Sequence, residues 1–443
     1  MSERPFSLIP HVGVGAVCSP LEVGADRAPQ AAEQLAELLE RLGCVVERVG
    51  LVDTADKAAA AGRRLAEAHV HAIACAAASW FEDYLVTDLL EECPAPVLLW
   101  SLPGMETGAL CGVQQLTVVL TQWERPCCAV YGLWEVSEVQ HQAEVFLRAA
   151  ALHYRLRRAR IGLAGHRVAG MTEVAVHELA LKRAIGPRVV PLDMPQLLHR
   201  ASQMSDEPAQ PAWRELVQRA ASCQVPETEG IECMKILAAL RELIRQHRLD
   251  ALTIGCYPHL MGKVCLAASL LAEEAIPLAC EGDVHGAVGQ LILTLLTGQP
   301  THNTDWLEPL EDGSVVLTHC GSGAFCLAER PEDVQIASVR LMGQGACALF
   351  PARPGPVTLL NLVPYRAGYQ AAVLEGEALS TGMVFPGNPL RVRFTTPTAR
   401  LIEWIHQEGI GHHWMAGYGH VGAAIRHWAR LSGPDLRLLL PPE

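Results

Sequence analysis

Strand-like and helix-like segments alternate along the first 100 residues of this 443-residue chain, and this alternation constrains its fold more than any other feature. An apolar segment at 6–17 leads through a Pro/Gly turn into a segment at 29–42 whose leucines and alanines have helical spacing. The same order then repeats, with predicted strands at 44–49, 72–77 and 96–100 and predicted helices at 55–68 and 81–91. Because this alternation is typical of βαβ units, we predict a parallel sheet with helices on its faces.

A second α/β unit is predicted to begin near residue 160. A new strand and a glycine-rich turn at 161–170 precede predicted strands at 189–192 and 250–256 and predicted helices at 232–247, 263–274 and 287–297. Beyond residue 335, apolar and polar residues alternate between Pro and Gly, which is typical of a small antiparallel β-domain. We therefore predict three domains: α/β at 1–158, α/β at 159–334, and a β-domain with a histidine-rich turn at 335–443.

Charge and cysteine content narrow the function classes. A net charge of −13, without a run of lysines and arginines, argues against a surface for nucleic acid or for an anionic membrane. The 15 cysteines include no C-x2-C pair, and several lie in apolar segments where cysteine behaves as a small apolar residue. No signal peptide and no apolar segment of about 20 residues is recognised. We predict a reduced, cytoplasmic protein that binds neither nucleic acid nor a membrane.

The segment 278–287 carries the strongest signal for chemistry. Glu281 and Asp283 follow an apolar segment at 275–279 that is predicted to be a short strand. The carboxyl end of such a strand is where α/β proteins bind ligands, and a divalent cation or an acid–base pair would suit two carboxylates there. Acidic residues are also favoured at the start of a helix, as caps and for the helix dipole. The segment alone leaves both interpretations open.

Histidines lie after predicted strands or in turns at three further places. They are His319 after 315–318, His259 in the loop 255–262, and the pair His412 and His413 in 409–415. A single such histidine is more often a hydrogen-bonded structural residue than a ligand. Carboxylates and imidazoles together form a donor set that suits Mn²⁺ or a similar ion. Thiolate-bound zinc near Cys280 and Cys320 is the less favoured alternative.

Six short motifs are spread over most of the chain. They are Cys-Glu-Gly-Asp at 280–283, His-Cys-Gly at 319–321, Gly-His-His at 411–413, Gly-Ala-Leu-Cys-Gly-Val-Gln-Gln at 108–115, Ile-Gly-Leu-Ala-Gly at 161–165 and Glu-Gly-Glu at 375–377. Together they resemble the L-fucose/L-arabinose isomerase superfamily. The resemblance implies two Rossmann-like α/β domains followed by a C-terminal antiparallel β-barrel-like domain. It also implies a trimeric or hexameric homo-oligomer with sites between subunits.

The resemblance further implies an aldose–ketose isomerase that binds Mn²⁺, or another divalent ion such as Co²⁺, Mg²⁺ or Zn²⁺. In that mechanism the metal holds two sugar oxygens, one carboxylate removes the proton beside the carbonyl, and a partner acid or base relays it through a cis-enediol. Glu281 and Asp283 match the catalytic and metal-binding acids, and which of them coordinates is left open. His413, with His412 as the alternative, matches the late histidine ligand, and His319 matches the histidine after the site.

One position departs from the superfamily, whose members usually carry a glutamate, as second catalytic acid, just after the proline of the loop 256–262. This chain has His259 there. Histidine can act as an acid, a base or a ligand, so an altered but active site is the first hypothesis. A sugar-binding or regulatory homologue that keeps the fold is the alternative. A nucleotide-dependent oxidoreductase is a third hypothesis, based on an incomplete glycine pattern at 13–18.

Residues that contact the sugar are predicted from position and chemistry. Trp100 offers an aromatic face for stacking, and Gln114 lies in a glycine-rich loop that resembles one reaching a neighbouring subunit's site. His412 would lie beside the metal ligand and contact the sugar. Arg366 and Lys263 are the predicted partners of an anionic substituent, which would make the substrate an unusual or anionic monosaccharide.

Overall fold

The computed structural model describes residues 8–442, and these residues form two compact units. One unit comprises residues 8–155 together with 423–432, and the other comprises residues 156–422 together with 433–442. None of the helices among these residues has both the length and the apolar character that a membrane span requires.

The first unit is built on a five-stranded parallel sheet with the strand order β2-β1-β3-β4-β5. Its elements are β1 (His11–Val17), α1 (Ala28–Arg41), β2 (Val45–Val52), α2 (Ala55–Glu67), β3 (Ala72–Ala77), α3 (Tyr84–Glu92), β4 (Val97–Ser101), α4 (Ala109–Gln122), β5 (Cys127–Tyr131) and α5 (Ser137–Leu156). Strand β3 is buried along its whole length, as expected for a central strand that is covered on both faces. The predicted alternation of strands and helices, and with it the α/β class, is confirmed.

A four-stranded parallel sheet with the order β10-β9-β6-β7 lies in the second unit. This part of the chain contains β6 (Arg160–Ala164), α6 (Glu178–Ala184), β7 (Arg188–Leu192), α7 (Met194–Gln203), α8 (Asp206–Gln218), β8 (Ser222–Cys223), α9 (Glu227–His247), β9 (Ala251–Ile254), α10 (Cys265–Glu273), β10 (Leu278–Ala279) and α11 (Val284–Thr297). From β6 the sheet extends to β7 on one side and to β9 on the other. Such a switch point opens a crevice at the carboxyl ends of the strands, where ligands bind in α/β proteins.

A seven-stranded mixed sheet with the order β15-β18-β11-β12-β17-β16-β19 completes the second unit. The elements from here on are β11 (His302–Pro309), β12 (Ser314–Thr318), β13 (Gln335–Ala337), β14 (Cys347–Leu349), β15 (Gly355–Tyr365), β16 (Gly368–Leu379), β17 (Leu390–Phe394), α12 (Thr398–Glu408), β18 (His413–Tyr418), α13 (Gly422–Ser432) and β19 (Leu436–Leu439). The sheet was predicted to be antiparallel, but β19 pairs with β16 in parallel, so it is mixed. Strands β8, β13 and β14 form a separate small sheet.

The mixed sheet draws strands from both sides of residue 335, since β11 and β12 are among its central strands. Residues 423–432 of α13 belong to the first unit, where the ring of His427 lies 5.7 Å from that of Phe146. The three predicted domain boundaries stay a prediction.

Helix α11 is the core of the second unit. Its residues from Val284 to Leu296 are all buried, and it packs against β9 and β10 on one side and against β15 and β18 on the other. A helix that is apolar on every side is stable only when it is enclosed in this way. Gly286 permits the close approach, because a Cβ there would lie 3.1 Å from Cε of Met415 in β18. The N-terminus of α11 therefore lies where the parallel and mixed sheets meet.

Candidate active site and metal centre

His413, the first residue of β18, is held between the two carboxylates of the predicted acidic segment. Its Nδ1 lies 2.8 Å from Oδ2 of Asp283, and its Nε2 lies 3.1 Å from Oε2 of Glu281. Burial by itself lowers the pKa of this imidazole, but the two carboxylates more than offset that effect and raise the pKa to about 9. The His413 ring is therefore protonated on both nitrogens at neutral pH when no metal is bound.

The two carboxylate oxygens of Asp283 make different contacts, one with the backbone at the start of α11 and one with the ring of His413. Its Oδ1 accepts a hydrogen bond from the backbone N–H of His285, at 2.9 Å, and so caps α11, while its Oδ2 faces His413. The capping interpretation of the acidic segment is therefore confirmed for this residue, while its second oxygen contacts His413. Burial raises the pKa of the carboxyl group, but hydrogen bonding and the charge of His413 hold it below its usual value. At 3% exposure, Asp283 is placed to orient His413.

Glu281 presents its carboxylate from an unusual backbone conformation. Its φ of 65° lies in the left-handed region, which residues with a Cβ rarely adopt, and Gly282 follows with φ 73°. The carbonyl of Glu281 accepts a hydrogen bond from the N–H of Val168, and the N–H of Gly282 donates to the carbonyl of Ile254. The loop after β6 and the last residue of β9 thus hold the acidic turn in place, and backbone strain maintained by its surroundings is frequent at functional sites.

Two imidazoles keep Glu281 ionised. Its Oε2 lies 3.1 Å from Nε2 of His413 and 3.9 Å from Nε2 of His319. Burial raises the pKa of this carboxyl group, but the interactions with the two histidines lower it to about 2. A carboxylate with so low a pKa is a weak proton acceptor at neutral pH and a suitable cation ligand.

Asp305 brings another carboxylate to the same place through strand pairing. In β11 it stands opposite His413 of β18 on one side and opposite Thr318 of β12, the residue before His319, on the other. Its Oδ1 lies 3.8 Å from Nε2 of His413, and its Oδ2 lies 3.9 Å from Nε2 of His319. Oδ1 is also buried without a hydrogen-bond partner. Asp305 was not predicted as a site residue, because only the pairing of β11 with β12 and with the distant β18 brings it here.

Three overlapping groups of side chains could hold a metal ion. The first is Glu281, His319 and His413, the second is Asp305, His412 and His413, and the third is Cys280, His319 and Cys320; within each group the ligand atoms lie within 4.8 Å of one another. The unpartnered Oδ1 of Asp305 and the mixed oxygen and nitrogen donors of the first two groups fit Mn²⁺ or a similar divalent ion.

Thiols surround the other side of His319. Sγ of Cys320 lies 2.9 Å from Nδ1 of His319, whereas Nε2 of the same ring faces the carboxylates. Hydrogen bonds from Cys265 and Cys280, followed by the charge of His319, lower the pKa of the Cys320 thiol. His319 therefore stands between a group of oxygen and nitrogen donors and a group of sulfur donors.

A cavity of about 160 Å³ opens beside these groups. Glu281, Asp305, His319 and Cys320 are polar residues of its lining, and the apolar part of the lining includes Leu307, Val339, Leu341 and Phe385. A pocket with converging polar groups and perturbed pKa values is the usual form of a small-molecule site.

No protein-family model matches the chain. It is similar to sulfoquinovose isomerase of Alkalicoccus urumqiensis, with 25% identity over 348 residues that cover 76% of this chain and 79% of that protein. It is also similar to sulfoquinovose isomerases of Priestia aryabhattai (26% identity, 75% of this chain, 77% of that protein) and of Clostridium sp. strain MSTE9 (24%, 74% and 76%). The predicted resemblance to the L-fucose/L-arabinose isomerase superfamily is confirmed.

The position that departs from this isomerase superfamily lies at the surface. His259 is exposed and does not line the cavity, whereas Tyr257 and Met261 of the same loop do. The loop in which the resemblance places a second catalytic acid therefore presents the phenol of Tyr257 to the cavity, and not the imidazole of His259.

The other predicted residues of the second unit lie around the centre but outside the cavity lining. Nδ1 of His412 lies 2.7 Å from Oε1 of Glu173, although its ring is only 4.0 Å from that of His413. Arg366 lies in the turn between β15 and β16, with its guanidinium 5.1 Å from the ring centre of Tyr365. Lys263 is half-buried in the loop before α10.

Two predicted sugar contacts belong to the first unit. Trp100 is fully buried in β4, where its Nε1 donates a hydrogen bond to the carbonyl of Gly132 at 2.9 Å, so it packs as a core residue of that sheet. Gln114 is exposed on α4. Gly13 and Gly15 of the incomplete dinucleotide pattern lie inside strand β1. The glycines of a dinucleotide-binding fingerprint instead form the turn after the strand.

Proposed function

We propose that this protein is a divalent-metal-dependent aldose–ketose isomerase that converts an anionic monosaccharide such as sulfoquinovose through a cis-enediol. The observation that carries the proposal is the group formed by Glu281, His319 and His413, of which Glu281 and His319 line the cavity. The similarity to sulfoquinovose isomerases confirms the predicted enzyme class, an aldose–ketose isomerase, and supports an anionic sugar as substrate.

In this proposal Glu281, His319 and His413 hold the ion, with Asp305 beside them. A divalent ion, when bound, supplies Lewis-acid stabilisation of the negative charge that develops on the sugar oxygens. Asp283 positions His413: its Oδ2 keeps a proton on Nδ1 of the ring, so that Nε2 faces the other ligands with a free lone pair. Fixing the tautomer through the outer nitrogen is the usual task of a carboxylate behind a ligating histidine.

Asp305 is the carboxylate best placed to move the carbon-bound proton. It lines the cavity, its side chain is 30% exposed, and one of its oxygens has no hydrogen-bond partner. Glu281, with a pKa of about 2, is a weak proton acceptor at neutral pH. Asp305 would take the proton from C2 of the aldose and return it to C1 of the enediol, which yields the ketose.

Tyr257 is the group of the loop 256–262 that can assist at the sugar oxygens. A phenol both donates and accepts a hydrogen bond, so it can pass a proton between O1 and O2 while the carbon-bound proton moves. It would thereby take the role that the resemblance assigned to the residue at His259.

Further properties implied by the resemblance accompany this proposal. They are manganese as the ion, a trimer or hexamer with sites between subunits, a cytoplasmic location and a barrel-like C-terminal sheet. Closure of the sheet is supported by strand pairing, because β15 pairs with β16 as well as with β18, so that the order runs from β15 back to β15.

The test is turnover of sulfoquinovose by the manganese-loaded protein in D2O, followed by NMR. We expect a ketose product and deuterium at C2 of the remaining aldose. Asp305→Asn should lower the exchange rate about 10²- to 10⁴-fold, the usual contribution of a general base, and retain manganese. Glu308→Gln, an exposed change on the same strand, is the matched control. A wild-type protein that binds sugar without exchange would be the binding homologue instead.

A further inference from the structure

The cavity contains one permanent positive charge, and the sequence did not reveal it. Among the lining residues, Arg340 is the single lysine or arginine, and it stands in the segment between β13 and β14. The two cations predicted for an anionic substituent, Arg366 and Lys263, are not in the lining.

The side chain of Arg340 lies over an aromatic ring and, among the described residues, forms no ion pair with a carboxylate. Its guanidinium carbon lies 5.0 Å from the ring centre of Phe385, which also lines the cavity. The described residues, 8–442, offer it no carboxylate within ion-pair distance. Stacking on an aromatic face restricts the guanidinium to few orientations while its N–H groups stay available.

The carboxylates of the lining repel an anionic ligand, so a cation in the same lining favours its binding. Glu281 and Asp305 both face the cavity, and the chain as a whole carries a net charge of −13. An anionic sugar must enter against these carboxylates, so one end of it needs a compensating positive charge. Arg340 is exposed at this part of the lining, so its guanidinium can supply that charge to a bound sugar through charge-assisted hydrogen bonds.

We propose that Arg340 binds the anionic group of the sugar and thereby sets the specificity of the site for anionic over neutral aldoses. The sugar would lie with its reacting carbons at the wall formed by Glu281, Asp305 and His319 and its anionic group at the wall formed by Arg340 and Phe385. The fork of guanidinium N–H groups matches a sulfonate or phosphate with two oxygens. This inference rests on the proposed isomerase function and adds the residue that selects the substrate class.

The experiment compares kcat/KM for sulfoquinovose and for quinovose, the sugar without the sulfo group, in the manganese-loaded protein. Arg340→Gln should lower kcat/KM for sulfoquinovose about 10- to 150-fold, the effect of losing a charge-assisted hydrogen bond, mainly through KM. The value for quinovose should change less than about threefold, within the range of a surface substitution. Arg340→Lys should recover part of the loss. Arg245→Gln, an exposed arginine of α9 outside the lining, is the matched control.

Two results would overturn the inference while leaving the isomerase intact: an equal loss for both sugars, or no loss for sulfoquinovose. If the wild-type protein turned over neither sugar, the proposed function would fail first. Calorimetric titration with sulfoquinovose would then still test whether Arg340 binds the anionic group. Weaker binding to the Arg340→Gln variant than to the wild type supports the inference. Equal binding, or no binding by the wild type, contradicts it.

Discussion

Metal binding at this centre should release protons and become tighter as the pH rises. His413 has a pKa of about 9 because Asp283 and Glu281 flank it, so about 99% of the rings are protonated at pH 7. An ion that takes Nε2 must displace that proton, which costs about 2.7 kcal/mol at pH 7 for two pKa units. The apparent association constant should therefore increase about tenfold per pH unit and level off above about pH 9.

His319 steepens this dependence. Its thiol and carboxylate neighbours raise the pKa of His319 well above the usual value, against the lowering effect of burial. If both imidazoles are ligands, two protons leave and the increase approaches about 100-fold per pH unit. Glu281 adds nothing above pH 5, since its pKa is about 2 and it is already ionised.

The stability of the metal-free protein should change in the opposite direction. The pKa of His413 is raised in the folded state, so the stabilisation by its imidazolium is fully present below its ordinary pKa of about 6.5. This stabilisation is lost as the pH rises through about 9. Metal-free protein should therefore melt at lower temperature at pH 9 than at pH 6.5, while added manganese should raise the melting temperature most at the higher pH.

The assay is calorimetric titration with Mn²⁺ between pH 6.5 and 8.5, in pairs of buffers with different ionisation enthalpies. The difference between buffers gives the number of protons released per ion, which we expect to lie between one and two at pH 7. Asp283→Asn should shift the steep range to lower pH and weaken binding about 10- to 100-fold, as loss of a residue behind a ligand does. Glu308→Gln is the control. Binding with no proton release and a flat pH profile would refute the role of His413 as a ligand.

Three further substitutions test parts of the centre. Glu281→Gln should abolish stoichiometric manganese in elemental analysis, because it removes a carboxylate from the group with His319 and His413. Gly282→Ala should lower the free energy of unfolding by more than about 1 kcal/mol in a denaturant titration, because φ is 73° and a Cβ would lie 2.6 Å from the backbone N of Arg167. Cys320→Ser should weaken Zn²⁺ binding but change Mn²⁺ binding little in a competition titration, since thiolates favour the softer ion; an equal loss for both ions would contradict the separate sulfur group.

The fold was largely predictable because its signals are local. The strands of the first unit are short apolar segments, such as 72–77, and the helices between them carry leucines at helical spacing, so each element could be recognised without its neighbours. The mixed sheet was harder. Its parallel pair β16–β19 joins residues 369–372 to 436–439, and nothing in either segment indicates the direction of its partner.

The candidate site divides in the same way. Glu281 and His413 were recognised because they lie in short sequence motifs. A turn was predicted around His413, but this residue is the first of strand β18, and the strand fixes the direction of its ring. Asp305 and Arg340 were not predicted. The pairing of β11 with the distant β18 brings Asp305 to the site, and the segment between β13 and β14 brings Arg340 to the cavity. Asp305 offered one weak signal, an acid inside a strand whose preceding residues are buried.

The charged groups at the candidate metal centre and in the cavity lining indicate how the charge of the site changes when a metal binds. Without a metal, the carboxylates of Glu281, Asp283 and Asp305 lie beside the imidazoles of His319 and His413, and Cys320, whose thiol pKa is lowered, lies against His319. A divalent ion that displaces two imidazole protons leaves the total charge unchanged. The site would then bind metal without a net change of charge, and Arg340 would be the permanent cation that the cavity lining offers to an anionic sugar. Release of two protons per ion is the upper end of the expected range, and it is the result expected if both imidazoles are ligands.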